Sequence, residues 1–139
     1  MGERHVELIR RYYEALNRHD LEAQQAVFTD DVVHYYLAGQ EPTRGVDHLV
    51  RFNAKLTAQF NAEWLIDHAL EQGNEIVVEW TCFWTPPGGS KRLAVRGAEW
   101  YIIRAGKIAE VRPYYNWLMT ADSELRGFPY AERGYATAR

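Results

Sequence analysis

Residues 94–116, AVRGAEWYIIRAGKIAEVRPYYN, are two apolar runs folded about a short turn, and each run carries charges in its middle. The turn decides whether Glu99 faces an arginine of the second run or stands among apolar side chains. A two-residue loop, Ala105-Gly106, needs positive φ at both positions and would set Glu99 opposite Arg112; alanine suits such a position poorly. A three-residue loop, Arg104-Ala105-Gly106, places only the glycine in the left-handed region. It pairs Ile103 with Lys107, Glu99 with Val111, Gly97 with Pro113, Val95 with Tyr115 and Trp100 with Glu110, and leaves Arg112 beside Ala98. The second register is favoured because it avoids a strained alanine. Glu99 then lies among Val95, Gly97, Tyr101, Val111, Pro113 and Tyr115 without a neighbouring cation, and desolvation should raise its pKa. A buried acid bonded to a tyrosine hydroxyl, an amide or water would be architecture; an acid facing a cavity would be chemistry.

Outward from this hairpin, EIVVEWTCFWT (75–85) alternates cleanly. Ile76, Val78, Trp80, Cys82 and Trp84 share one face, and Glu75, Glu79 and Thr81 the other. AEWLIDHAL (62–70) precedes it through the turn EQGN, and PPGGSK (86–91) is a hairpin loop. The second half is therefore an antiparallel meander. The first half is helical: HVELIRRYYEALNRHD puts Val6, Ile9, Tyr13 and Leu16 on one stripe with Tyr12 beside it. Asp20 is an N-cap for a short helix through LEAQQAVF. DDVVHYYLAG (30–39) reads as a strand closed by Gly39, and VDHLVRFNAKLTAQF returns to helical spacing at Leu49, Phe52, Leu56 and Phe60. The fold class is α+β, a strongly curved antiparallel sheet capped on one face by N-terminal helices. The whole of 1–139 reads as one domain, with a core of about residues 4–118 and a tail, 119–139, holding one helical turn at most.

Composition removes several function classes. Sixteen Lys and Arg against nineteen Asp and Glu give no global pull toward nucleic acid or anionic membrane. The single cysteine, Cys82, excludes an intrachain disulfide and any multi-cysteine metal site, and on an apolar strand face it reads as an inert thiol. His5, His19, His34, His48 and His68 show no metal-binding spacing, and there is no nucleotide-binding glycine pattern. Neither a metal nor a cofactor is expected. No apolar stretch is long enough to span a bilayer, and MGERHVELIR has neither a leader's apolar core nor a myristoylation signal. A cytoplasmic protein is expected.

The order of elements, together with IRRYYEALNRHDLEAQQAVFTDDVV (9–33), TRGVDHLVRF (43–52) and GKIAEVRPYYN (106–116), resembles the nuclear-transport-factor-2-like superfamily, specifically its SnoaL-like branch. The resemblance covers about residues 4–118. It implies a cone whose curved sheet and helices enclose a pocket, and a homodimer formed sheet to sheet. The superfamily includes ketosteroid isomerase, polyketide cyclases, scytalone dehydratase, limonene epoxide hydrolase and many non-catalytic binders. By that likeness Tyr12 and Glu99 correspond to the isomerase's oxyanion hole, in which a neutral acid donates to developing negative charge; the general rule is illustrated by that same enzyme. The isomerase's proton-abstracting aspartate falls at Tyr36, and the epoxide hydrolase's final-strand aspartate at Pro113. Both departures argue against those two mechanisms.

His34 and Tyr36, two apart on a strand, point to the same side. If that side is the cavity, His34 is a candidate general base; otherwise it is a core histidine bonded to a backbone carbonyl. The candidate catalytic set is Glu99, His34, Tyr12 and Tyr36. Trp80, Trp84, Tyr101, Val111, Pro113 and Tyr115 would form apolar walls for a hydrophobic small molecule. The function expected is cofactor-independent isomerisation, cyclisation or dehydration of a hydrophobic carbonyl compound through an enol. The alternatives are a binding protein using the same cavity without turnover, and a protein-interaction module. On the outward face Trp100 and Ile102, with Arg96, Glu110 and Arg112, form a candidate dimer surface.

Overall fold

Four buried positions of one stripe, Val6, Ile9, Tyr13 and Leu16, make the first helix amphipathic, and none is more than 5% exposed. In the computed structural model, which describes residues 4–139, this helix is α1 (Arg4–Asn17). Met1–Glu3, part of the segment read for a leader or lipid signal, lie outside the described residues. Helix α2 (Leu21–Val27) is capped by Asp20, whose side chain accepts from the Ala23 amide at 3.0 Å. Helix α3 (Val46–Phe60) ends on Asn61 in the left-handed region at φ 46°. Leu49 of α3 is fully buried, whereas Phe52 is partly exposed.

Five strands overlap the expected segments, β1 (Phe28–His34), β3 (Glu63–Gln72), β4 (Glu75–Trp84), β5 (Leu93–Arg104) and β6 (Lys107–Tyr115), and a sixth, β2 (Thr43–Arg44), lies where a turn was expected. They form one sheet in the order β2-β1-β6-β5-β4-β3. β1 stops at His34, short of the expected Gly39. Its pairing with β6 is parallel, so the sheet is mixed rather than antiparallel throughout. The other neighbours pair antiparallel. The whole meander separates β1 from β6, and a connection of that length permits the parallel pair. β4 has its expected inner face: Ile76, Val78, Trp80, Cys82 and Trp84 are at most 2% exposed.

The decisive hairpin takes neither expected register. Its turn has two residues, with Ala105 at φ 53° and Gly106 at φ 77°, and Arg104 pairs with Lys107. The strained alanine is present after all, a cost of about 1–3 kcal/mol. A bulge then skips Ala109, so Ile103 pairs with Ile108 but Ile102 with Glu110. Glu99 consequently faces Pro113, not Val111 or Arg112; Gly97 faces Tyr115, Trp100 faces Arg112 and Ala98 faces Tyr114. Val95 has no partner on β6 and bridges to Ser123 instead. The turn moves the pairing by one residue and the bulge by a second. Beyond the bulge, two one-residue slips restore the side chains to their expected faces, because the strand period is two.

Pro113 is tolerated because β1 pairs with β6 only as far as Val111, leaving that side of β6 without a donor requirement. Residues 119–139 hold turns and no helix, within the expectation of one helical turn at most. They lie against the outer sheet face. The Ser123 amide donates to the Ala94 carbonyl at 2.8 Å, and the Arg96 amide to the Ser123 carbonyl at 3.0 Å. Arg96, expected on an open outward face, is covered by this segment, and its side chain is 7% exposed. Its guanidinium donates to Glu124 and to the Ala136 carbonyl, each at 2.7 Å, and lies 3.8 Å from the Tyr130 ring centre. No helix among the described residues is long and apolar enough to cross a membrane.

Candidate active site

Helices α1 and α3 pack against the concave side of the sheet, and a cavity remains between them. It is narrow, with room of about 50 Å³ for a water-sized sphere. Tyr12, Tyr13 and Leu16 reach it from α1, and Asn53, Leu56, Thr57 and Phe60 from α3. The sheet and its flanking chain add His34, Tyr36, Trp64, Trp80, Cys82, Trp84, Val95, Glu99, Pro113, Tyr115 and Trp117. Gly97 is what lets two of these walls close: a Cβ there would lie 2.7 Å from Tyr115 Cβ and 2.8 Å from Trp80 Cζ2. Of the ten candidate residues, eight line this cavity. Tyr101 and Val111 do not; both are fully buried and belong to the core.

Glu99 is 8% exposed, and its Oε1 accepts from Tyr13 Oη at 2.9 Å and from the Tyr101 hydroxyl. Burial raises its pKa, and the two phenol donors counter that only in part. Both bonds fall on Oε1, so Oε2 has no protein partner among the described residues. The tyrosine bonded to the acid is therefore Tyr13, not the expected Tyr12. The two are adjacent on a helix and about 100° apart around it, a distinction that matching to a relative blurs. Tyr12 Oη instead accepts from the Asn53 amide at 3.0 Å, which leaves its own proton uncommitted.

His34 lines the cavity and is also bonded to a backbone carbonyl. Its Nδ1 lies 2.7 Å from the Tyr35 carbonyl. A carbonyl only accepts, so Nδ1 carries the proton and Nε2 keeps a free lone pair. Burial lowers its pKa from 6.5 to about 4, so it is neutral at physiological pH. Tyr36 stacks on it with ring centres 4.6 Å apart. The Tyr36 hydroxyl donates to Thr43 Oγ1 at 2.8 Å, and burial pushes its pKa up to about 12. That proton is engaged, so Tyr36 positions the imidazole.

Sequence reasoning placed Tyr13 in the core and passed over Asn53, Thr57, Trp64 and Trp117. Trp117 follows β6 and packs against Trp84, ring centres 5.2 Å apart, and Trp64 packs against Trp80 at 5.3 Å. Those contacts join residues far apart in the chain, and no local spacing signals them. Burial raises the pKa of the Cys82 thiol, which keeps it protonated. Among the described residues no three His, Cys, Asp or Glu side chains are grouped to hold a metal.

The model of the SnoaL-like domain matches residues 9–111, about three quarters of the chain. The chain belongs to the SnoaL-like domain family. This SnoaL-like protein is similar in structure to a protein of unknown function with a cystatin-like fold from Methylobium petroleophilum PM1. The two are 28% identical with a TM-score of 0.74, over 100% of this chain and 95% of that one. It is also similar to a protein from Jannaschia sp. CCS1 assigned to the SnoaL-like polyketide cyclases, at 17% identity and a TM-score of 0.73, over 84% and 88% of the two chains. A third likeness is to an LEH-like epoxide hydrolase of M. tuberculosis, at 19% identity and a TM-score of 0.71, over 83% and 84%. At 17% and 19% identity the likeness is one of fold. No curated protein matches this SnoaL-like chain.

Proposed function

We propose that this SnoaL-like protein is a cofactor-independent enzyme that enolises a hydrophobic carbonyl compound, leading to isomerisation, cyclisation or dehydration. The observation that carries the reading is the asymmetry of Glu99: two phenols occupy Oε1, and Oε2 is left to the cavity in a buried acid whose pKa is raised. In its neutral form Oε2 donates to the substrate oxygen, and the uncommitted Tyr12 hydroxyl is a second donor. His34 Nε2, unprotonated at neutral pH, accepts the α-proton. As the carbon–hydrogen bond breaks, its electron pair moves into the new carbon–carbon double bond and negative charge develops on the oxygen. A base whose conjugate acid has a pKa of about 4 is weak. It suits a carbon acid activated by a second carbonyl or by conjugation, and the developing enolate in turn favours the imidazolium.

The test is exchange of the C1 protons of 2-tetralone for deuterium, followed by proton NMR. Exchange should exceed the buffer rate and fall by about 10²–10³ in Glu99→Ala. It should also fall in His34→Gln, whose amide cannot serve as a base. Exchange at the buffer rate with unimpaired binding would instead make this a binding protein of the same fold.

A further inference from the structure

A buried amide side chain calls for an explanation, and Gln24 of α2 is 1% exposed without lining the cavity. Its Oε1 accepts from Asn53 Nδ2 of α3 at 3.5 Å. The same Nδ2 donates to Tyr12 Oη of α1 at 3.0 Å. One residue from each helix thus enters a single chain of buried polar groups. An amide nitrogen offers two hydrogens, and each of the two on Asn53 has its own acceptor. Gln24 therefore holds the amide in one sense. Turned over, Asn53 Oδ1 would stand against Gln24 Oε1, oxygen to oxygen, and would accept the Tyr12 proton.

The sense of that amide decides what Tyr12 can do. A phenol carries one hydrogen and two lone pairs. With Asn53 donating to its oxygen, the Tyr12 hydrogen is free for another acceptor, and Tyr12 lines the cavity. Burial raises the Tyr12 pKa, and the Asn53 bond works against that rise, which makes the hydroxyl a better donor. A buried polar network can also serve only to fix how helices pack. The two roles differ in whether a ligand oxygen feels the network.

We infer that Asn53 and Gln24 are positioning residues that hold the Tyr12 hydroxyl as a hydrogen-bond donor to the substrate oxygen. The inference rests on the reading of the cavity as a carbonyl-binding site. Asn53 acts on Tyr12 directly, and Gln24 acts through Asn53 from outside the cavity. The relay selects for a ligand that brings an acceptor to Tyr12, and a hydrocarbon of the same shape gains nothing from it.

The experiment measures 2-tetralone against tetralin, the same two rings without the oxygen, by calorimetry at pH 7. The ratio of the two affinities reads the donors that meet the oxygen, and losses common to both ligands cancel. The native protein should prefer 2-tetralone. Asn53→Asp keeps the shape, and its carboxylate offers Tyr12 only acceptors. The ratio should then fall about fivefold, the size of one hydrogen bond. Asn53→Leu removes the amide without offering an acceptor, and its ratio should fall less. A packing role predicts the opposite order, because leucine replaces none of the bonds of the amide. Gln24→Leu leaves the Asn53 amide free to turn, and with half the molecules turned the ratio falls about twofold. A native ratio in Asn53→Asp or in Gln24→Leu would overturn the proposal. So would a larger fall in Asn53→Leu than in Asn53→Asp, or a native protein that does not prefer 2-tetralone. Failure of deuterium exchange with the ratio responding as expected would remove the enolisation reading and leave the positioning role standing. Exchange with an unresponsive ratio would do the reverse.

Discussion

Tyr13 Oη donates to Glu99 Oε1 at 2.9 Å across 86 residues of chain, tying the first helix to the fifth strand inside the cavity. Removing that donor with Tyr13→Phe takes away one of the two bonds that favour the carboxylate. The Glu99 pKa should rise further. Loss of one buried partner should also cost stability, about 1–3 kcal/mol. Difference infrared titration of the carboxyl band, with urea unfolding beside it, measures both effects. A carboxyl band that titrates unchanged in Tyr13→Phe would show that the bond does not govern the acid.

Glu99 and His34 pull stability in opposite directions as pH changes. The Glu99 pKa is raised in the folded state, so its contribution is fully present below its ordinary 4.5 and is lost as pH rises through the folded value. Glu99→Gln should therefore be more stable relative to the native protein at neutral pH than at pH 4. Urea midpoints across that range check the sign.

For His34 the folded pKa is depressed from 6.5 to about 4. Between those values the unfolded chain binds the extra proton, so stability falls as pH drops through that window. The full loss is on the order of 3 kcal/mol. His34→Gln should flatten this part of the stability profile. An imidazole that titrates by NMR near 6.5 in the folded protein would contradict the burial argument.

Gly97→Ala tests how tightly the cavity wall is closed. The added methyl would meet Tyr115 Cβ at 2.7 Å and Trp80 Cζ2 at 2.8 Å. Overpacking of this kind should cost about 1–3 kcal/mol and weaken 2-tetralone binding by displacing Trp80. Unchanged melting and unchanged affinity would mean that the wall yields freely.

The outer face is divided between the C-terminal segment and an open strip. Leu70, Val77, Trp100 and Arg112 form one cross-strand row on that face, with Leu70 61% and Trp100 38% exposed. We propose that this strip joins two copies of the chain. Light scattering at micromolar concentration should report twice 16.2 kDa, and Trp100→Glu should return it to that mass. Arg96→Ala should free residues 119–139 instead, seen as faster amide exchange at Ser123, whose N–H is bonded to Ala94.

The sequence by itself determined the elements and their faces. The helical stripe of α1, the Asp20 cap and the alternation of β4 are local, governed by periodicities of 3.6 and 2 that any reader of the chain can count. Glu99 was legible on the same ground, because an acid on an apolar strand face is a local anomaly. The tertiary structure decided which partners those faces meet. Ala105 takes positive φ in a two-residue turn that is followed by a bulge at Ala109, and that bulge is not written in the turn itself. It also decided Tyr13 over Tyr12, a choice set by how α1 is rotated against the sheet. Trp64 and Trp117, which complete the cavity wall, were not legible in sequence. His34 is held neutral only through burial, and Trp64 and Trp117 meet Trp80 and Trp84 only once the chain has folded. Side-chain periodicity acts over neighbouring residues, whereas desolvation and long-range contact exist only when the whole chain has closed around them.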